Sequence, residues 1–357
     1  MQHLVVDISA HGFGHLAQTA AVLNALETSD LRLTLRSTAP EAILRERIQQ
    51  PFELLPYQQD NGMIMLDALR VDVPKTFAWY QAFHRDYAAK VQQAAQDLTA
   101  LKPDLLLANV PYLSLVAAAQ INLPSLALCS LNWADVFQAY CGEYTGASQI
   151  HAEILAAYQS VQGFLQPTPS MPMPDLPSKQ ILAPIASRGR KQRERLDAST
   201  QGAFQQYVLV GLGGIGMRYP LETWPCLVGV AWIFDDASLH LKRADWLPVS
   251  TFGLSYIDLL ASCDLVLTKT GYGTQTEAVV NQIPALCVQR GDWPEEPYLA
   301  SWHQAHGEVA FISWATIQSG AFIEQLQALL AGSWTKTQIQ AKGAQEAAQF
   351  IQQALVA

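Results

Sequence analysis

The chain has 357 residues, a length that favours two domains over one. Half of the residues are apolar and 15% are charged, with 19 Pro and 21 Gly, which gives ample surface to bury and none of the bias that keeps a chain disordered. Twenty-two Lys and Arg against 31 Asp and Glu leave a formal net charge of -9, a balance that repels nucleic-acid backbones and argues against binding them.

The start, MQHLVVDISAHGFGHLAQ, has no cation before Arg32 and breaks its apolar run at Asp7, so neither a signal nor a transit peptide is expected, and the expected location is the cytoplasm. Residues 3–8 read as a strand, 11–15 as a glycine-containing turn, 16–26 as a helix and 31–37 as the next strand. Trp79, Phe83, Tyr87 and Val91 recur every four residues and predict a helix running to about 101, with the aromatic stripe in the core. A strand at 104–108, a helix of small residues at 113–120 and a strand at 125–130 follow. This repeated βαβ pattern implies a parallel sheet covered on both faces.

Residues 164–200 change texture, first Pro-rich and then basic (Arg188, Arg190, Lys191, Arg193, Arg195), as an interdomain connection with a solvated cationic face would. Beyond it, residues 207–210 form a strand ending in GLGGIG. Residues 227–234 form a second, within an apolar stretch of about ten residues that is too short for a membrane span. A third at 264–267 enters TKTGYGT and a helix, and a fourth lies at 284–289. From Thr335 a Gln- and Ala-rich helix carries Ile339, Phe350, Ile351 and Leu355. The expected domains are 1–178, 179–334 and a terminal segment 335–357. Five cysteines, Cys129, Cys141, Cys226, Cys263 and Cys287, lie far apart without a CxxC pair and read as reduced, mostly buried thiols.

Ligands of doubly wound sheets sit at the carboxyl ends of strands, where helix N-termini supply N–H groups and positive potential. Three loops here are built that way, at 11–15, 211–216 and 269–274, and none is a P-loop. The first, with Gly12 and Gly14, lacks the third glycine of a dinucleotide loop, and a tight turn explains it equally well. The second supplies Gly213 and Gly214. In the third, Lys269 is a fixed cation, Thr270 and Thr274 are hydroxyl donors, and Gly271 and Gly273 let backbone approach a diphosphate. Glu277 follows, where its carboxylate can accept two hydrogen bonds from a ribose diol; the alternative is a first-turn acid favoured by the helix dipole. The loop QRGDWPEEPYL adds Arg290, Asp292, Glu295 and Glu296, a set suited to sugar hydroxyls or an ordinary acidic surface loop. No histidine adjoins it and no DxD pair occurs, so no metal and no cofactor is expected. His11 and His15 lie at the mouth of the first strand, where a histidine can act as a general base; His15, which starts the helix, is the preferred candidate, with a lowered pKa.

HGFGH, SLNWADVF, and KTGYGTQTEAV followed by RGDWPEEPYL together resemble the glycosyltransferase-like half that precedes the kinase half in plant-type L-arabinokinases, over nearly the whole chain. A more diffuse likeness extends to the GT-B glycosyltransferases, including the N-acetylglucosaminyltransferase that completes lipid-linked peptidoglycan precursors. The resemblance implies two facing Rossmann-like α/β domains with an active site in the cleft between them, and a last helix crossing back to the first. It implies a nucleotide-sugar donor, UDP being the commonest, held by the second domain: the backbone around Phe252 and Leu254 on the base, Glu277 on the ribose, 269–274 on the diphosphate, and Glu295 and Glu296 on the sugar. The acceptor, a small or lipid-linked molecule, would pass His11, His15, Asn132 and Trp133. Asn109, also placed on the acceptor side, ends a strand where such relatives often carry an acid, which leaves His15 without an obvious carboxylate partner; Asp135 is the candidate substitute by proximity in sequence. The sugar-kinase half is absent, so phosphorylation of arabinose is not implied. The expected activity is inverting, metal-independent transfer of a hexosyl or N-acetylhexosaminyl group. A nucleotide-sugar epimerase or hydrolase and a non-catalytic nucleotide-sugar-binding protein are the alternatives.

Overall fold

The computed structural model describes residues 1–27, 30–57, 59–213, 218–238 and 243–356. The chain divides into two compact units, the first made of residues 1–66, 71–185 and 341–357, the second of residues 67–70 and 186–340.

The first unit is built on strands β1 (Gln2–Ile8), β2 (Leu31–Arg36), β3 (Glu53–Leu55), β4 (Leu105–Asn109), β5 (Ser125–Leu128), β6 (Gly163–Pro167) and β7 (Lys179–Leu182). They form one sheet in the order β3-β2-β1-β4-β5-β6-β7, parallel throughout. The middle strands are buried along nearly their whole length, as a sheet with helices on both faces requires. Strand order reverses between β1 and β4, and that switch point is where open α/β sheets bind ligands. At the same edge Asp7 lies opposite Arg36 in register, and the two buried side chains form a bidentate pair at 2.6 Å.

The second unit repeats the plan with β8 (Gln206–Gly211), β9 (Val230–Phe234), β10 (Trp246–Pro248), β11 (Leu265–Lys269), β12 (Ala285–Val288) and β13 (Val309–Ile312), ordered β10-β9-β8-β11-β12-β13 and again parallel. Its switch point falls between β8 and β11. On one face Trp232 and Trp246 of the strands cluster with Trp224, Phe322, Ala68 and Leu69; the other packs against Leu196, Phe252, Leu259 and Leu260.

The structure departs from the sequence expectations at four places. Residues 164–182 are not a connection: β6 and β7 extend the first sheet beyond 178, and their prolines fall at the end of β6 and in the loop after it, where a missing N–H costs nothing. β9 starts at Val230 because residues 227–229 form a turn, with Gly229 at φ 78 and Val228 fully exposed. The long aromatic helix is two helices, Val73–His84 and Tyr87–Leu101; the break changes the buried face, so Thr76 and Tyr80 are buried while Trp79, Phe83 and Tyr87 are half-buried. The basic run is not simply solvated, since Arg193 binds Asp197 and Asp264 and stacks on Tyr207. The cysteines agree with expectation: all five are free thiols and four are buried, Cys226 being exposed.

The terminal helix spans Gly343–Val356, shorter than the segment from Thr335, and belongs to the first unit. It packs on the helix Phe13–Asn24, and its Glu346 carboxylate accepts a 2.7 Å hydrogen bond from the N–H of Ala183. No helix among the described residues is long and apolar enough to cross a membrane.

Candidate functional site

In the first unit the chain leaves β1 through Ser9 and His11 and enters the helix Phe13–Asn24, with Gly12 as N-cap at φ 77, a left-handed conformation that favours glycine. A side chain at Gly14 would meet open space. The helix begins two residues before His15, so the imidazole lies within its first turn and reaches the end of β4. There His15 Nδ1 lies 3.1 Å from Oδ1 of Asn109. The Asn109 amide orientation follows from its other contacts: Nδ2 donates to the backbone oxygen of His15 at 3.2 Å, an atom that can only accept, and to Gln18 Oε1 at 3.3 Å. Oδ1 therefore faces the ring, Nδ1 carries the proton, and the lone pair is on Nε2. Burial pushes the imidazole down to about 4, with Asn109 opposing weakly, so the ring is neutral at physiological pH.

Trp133 is fully buried beside this pair. Its indole makes edge contacts with His15 at 5.6 Å and His11 at 5.1 Å, and its Nε1 donates to Asp60 at 2.7 Å. Gly62 presses the other side: at φ 54, a Cβ there would stand 2.6 Å from the Trp133 ring and 2.9 Å from that of His11. Gly62→Ala is expected to cost about 1–3 kcal/mol through overpacking, read as a lowered urea midpoint with an unchanged slope.

Asp135 does not partner His15. It sits in the first turn of the helix Trp133–Cys141, whose N-cap Asn132 accepts from the Asp135 N–H at 2.8 Å and donates to its carboxylate at 2.9 Å. Both side chains thus secure a helix end. His11, His15, Asn109 and Trp133 do come together. The sequence reading missed Asp60, Ser9 and Gln18, which complete the cluster; Asp60 lies in QQDNGM, whose Asn-Gly signals a turn and nothing of what surrounds it.

In the second unit Lys269 ends β11 at the switch point. Its Nζ donates to the backbone oxygen of Ala68 at 2.8 Å, and its stem lies against Gly213. Burial and the neighbouring guanidinium of Arg290 push the ammonium down to about 7, with Asp67 opposing. Two cations held together in this way are electrostatically unfavourable by themselves and suit an anion. The helix Tyr272–Asn281 starts at the same edge. The N–H of Gly271 donates to Gln275 Oε1 at 2.9 Å, while a side chain at Gly273 would meet open space. Tyr256, which the sequence reading missed, brings its hydroxyl to 3.4 Å from Thr274 Oγ1 and beside Gly211. Gly214 lies outside the described residues.

Glu277 is half-buried in the second helical turn, beyond reach of the dipole effect that its alternative reading invoked. Glu296 takes a different part from the one expected: it is buried, and its carboxylate accepts from the Thr270 hydroxyl at 2.9 Å, the Arg290 N–H at 3.0 Å and the Gly291 N–H at 2.7 Å. Thr270 and Glu296 therefore shape the loop that carries Arg290, with their polar atoms already engaged. Arg290 lies over the Trp293 ring at 3.7 Å, and buried Glu295 accepts from Trp293 Nε1 at 3.2 Å. Phe252 is in the core and Leu254 packs on the same cluster; the turn between them is held by Arg195, which donates to the Gly253 oxygen at 3.1 Å. Among the described residues no group of three or more His, Cys, Asp or Glu could hold a metal ion.

No protein-family model matches the chain. It is similar to an L-arabinokinase of Arabidopsis thaliana, 24% identical over 317 residues that cover 84% of this chain, and it spans 29% of that relative's length. Among solved structures it is similar to the kitacinnamycin glycosyltransferase, with a TM-score of 0.63 at 14% identity, covering 99% of this chain and 94% of the other. It is also similar to a UDP-glucosyltransferase of Polygonum tinctorium capable of glucosylating indoxyl, with a TM-score of 0.61 at 13% identity, covering 100% and 94%. The fold is that of the GT-B glycosyltransferases.

Proposed function

We propose that the chain is a glycosyltransferase that moves a hexosyl or N-acetylhexosaminyl group from a nucleotide sugar, a UDP-sugar first among them, to an acceptor hydroxyl, with inversion and without a metal. His15 Nε2 takes the proton of the acceptor hydroxyl, whose oxygen attacks the anomeric carbon as the bond to the diphosphate breaks. Lys269, Arg290 and the start of the helix Tyr272–Asn281 take up the charge that develops on the departing diphosphate. Glu277 is assigned to the ribose, the backbone at Phe252 and Leu254 to the base, and Glu295 to the sugar. The observation that carries the reading is the Lys269 ammonium, held against Gly213 with Arg290 near enough to depress its pKa, at the switch point of a GT-B fold. The UDP-glucosyltransferase among the similar structures supports the choice of nucleotide.

Thermal unfolding with UDP, dTDP, GDP, ADP and UDP-sugars tests the donor half of the proposal. A nucleotide at about 100 times its Kd stabilises by about 2.7 kcal/mol, and Glu277→Ala is expected to remove most of the shift at the same concentration. No shift with any nucleotide removes the donor assignment. Chelator is expected to leave transfer unchanged. Rapid consumption of donor without acceptor would assign a hydrolase or epimerase instead.

A further inference from the structure

The proposed chemistry leaves two buried acids of the first unit unused: Asp7, which is paired with Arg36, and Asp60, which is hydrogen-bonded by neutral side chains. Asp60, 4% exposed, accepts from the Ser9 hydroxyl at 2.9 Å through Oδ1 and from the Trp133 indole N–H at 2.7 Å through Oδ2. Each partner leads to the base. Ser9 lies directly after β1, where its N–H donates to the Asn109 oxygen at 2.8 Å and its hydroxyl accepts from the N–H of His11 at 3.3 Å. Trp133 packs its edge on the His15 ring. One carboxylate therefore ties together the β1 turn, the β4 end and the indole that flanks His15.

We propose that Asp60 is a positioning residue for His15: ionised, it holds Trp133 and the Ser9 turn against the imidazole through charge-assisted hydrogen bonds, and protonated, it weakens both. The proposal rests on the reading of His15 as the base. Ionised carboxylates accept shorter and stronger hydrogen bonds than neutral ones, so the hold changes with the proton. Burial raises the carboxyl to about 6, opposed by Ser9 and Trp133. The titratable and charged groups around it are Asp7, Tyr80, Tyr112 and Tyr158, with His11 and His15 across the indole and Arg36 bound by Asp7. A cavity of about 10 Å³, lined by Ser9, Tyr57 and Asp60, borders the carboxyl.

The test is a pH titration of isotope-labelled full-length protein by NMR, which needs no substrate. The indole N–H signal of Trp133, assigned by its loss in Trp133→Phe, is expected to titrate with a midpoint near 6. The His15 ring signal, assigned by its loss in His15→Gln, is expected to move with the same midpoint and to lose that step in Asp60→Asn. Ser9→Ala is a second variant that keeps the indole contact, and it is expected to raise the midpoint. A His15 signal that stays fixed between pH 5 and 7, or a midpoint that survives in Asp60→Asn or does not move in Ser9→Ala, overturns the proposal. A null result in the nucleotide experiment above leaves this titration as it is, so the two failures are told apart.

Discussion

His15→Gln is expected to lower transfer about 100- to 10,000-fold while leaving the nucleotide-induced shift in unfolding temperature unchanged. Glutamine can keep a polar contact to Asn109 but has no nitrogen able to take a proton, whereas the native ring presents an unprotonated Nε2 because Asn109 holds the proton on Nδ1. Lys269 and Gly213 belong to the other unit, so donor binding is separable from loss of the base. The ring's low pKa also has a stability sign. An unfolded histidine titrates near 6.5 and this one at about 4, so as pH falls between those values the unfolded chain gains a proton before the folded one does, and stability is lost. The loss amounts to about 3 kcal/mol once pH is below both values, and His15→Gln is expected to abolish it, which acid unfolding curves of the two proteins would read. Asn109→Asp reverses the logic, because a carboxylate on Nδ1 stabilises the imidazolium and moves the pKa of the base upward.

Lys269→Met is expected to weaken nucleoside diphosphate binding about 10- to 150-fold, the range for a hydrogen bond to a charged group. The depressed ammonium adds a signature that loss of shape alone would not produce. Burial and Arg290 hold Lys269 near 7, so at pH 8 most of the side chain is neutral. An incoming diphosphate favours the charged form and raises the pKa, and binding at pH 8 is expected to take up close to one proton. Calorimetry in two buffers of different ionisation enthalpy measures that uptake, and Lys269→Met removes it. Without ligand the sign is opposite to that of a paired lysine: the unfolded chain keeps its proton to about 10.4 and the folded one releases it from about 7, so stability rises with pH across that window.

Much of this arrangement was legible because the strands of a doubly wound sheet are short, apolar and followed by glycine turns. The strand at 3–8, the turn with His11 and His15, and the strand entering TKTGYGT appear where periodicity and glycine put them. β3, β6, β7, β10 and β13 were not legible: β3 and β10 have only three residues, β6 and β7 flank the Pro-rich stretch that reads as a connection, and β7 at the sheet edge leaves Ile181 exposed. Side-chain roles depended on contacts between residues distant in the chain. Asn109, expected on the acceptor side, orients the imidazole from 94 positions away, and Asp135, the expected partner of His15, closes a helix end. Asp60 could not have been singled out, since its partners lie 51 and 73 positions away on different elements. Glu296, expected on the sugar hydroxyls, has its oxygens claimed by backbone N–H groups, a contact that residue type and position in the loop do not reveal.

The split of the first unit into residues 1–66, 71–185 and 341–357 bears on how the protein is made. A ribosome adding about 5–20 residues per second delivers the terminal helix roughly 10–30 s after β7 has emerged. Until then the helix Phe13–Asn24 lacks its contacts with the terminal helix, and the N–H of Ala183 lacks Glu346. The second unit, whose sheet lies wholly within 186–340, has its strands in hand before the first unit can close. The nascent chain therefore carries this helix without its last partner through the synthesis of an entire unit. A premature stop after residue 340 would leave the first unit without that helix for good.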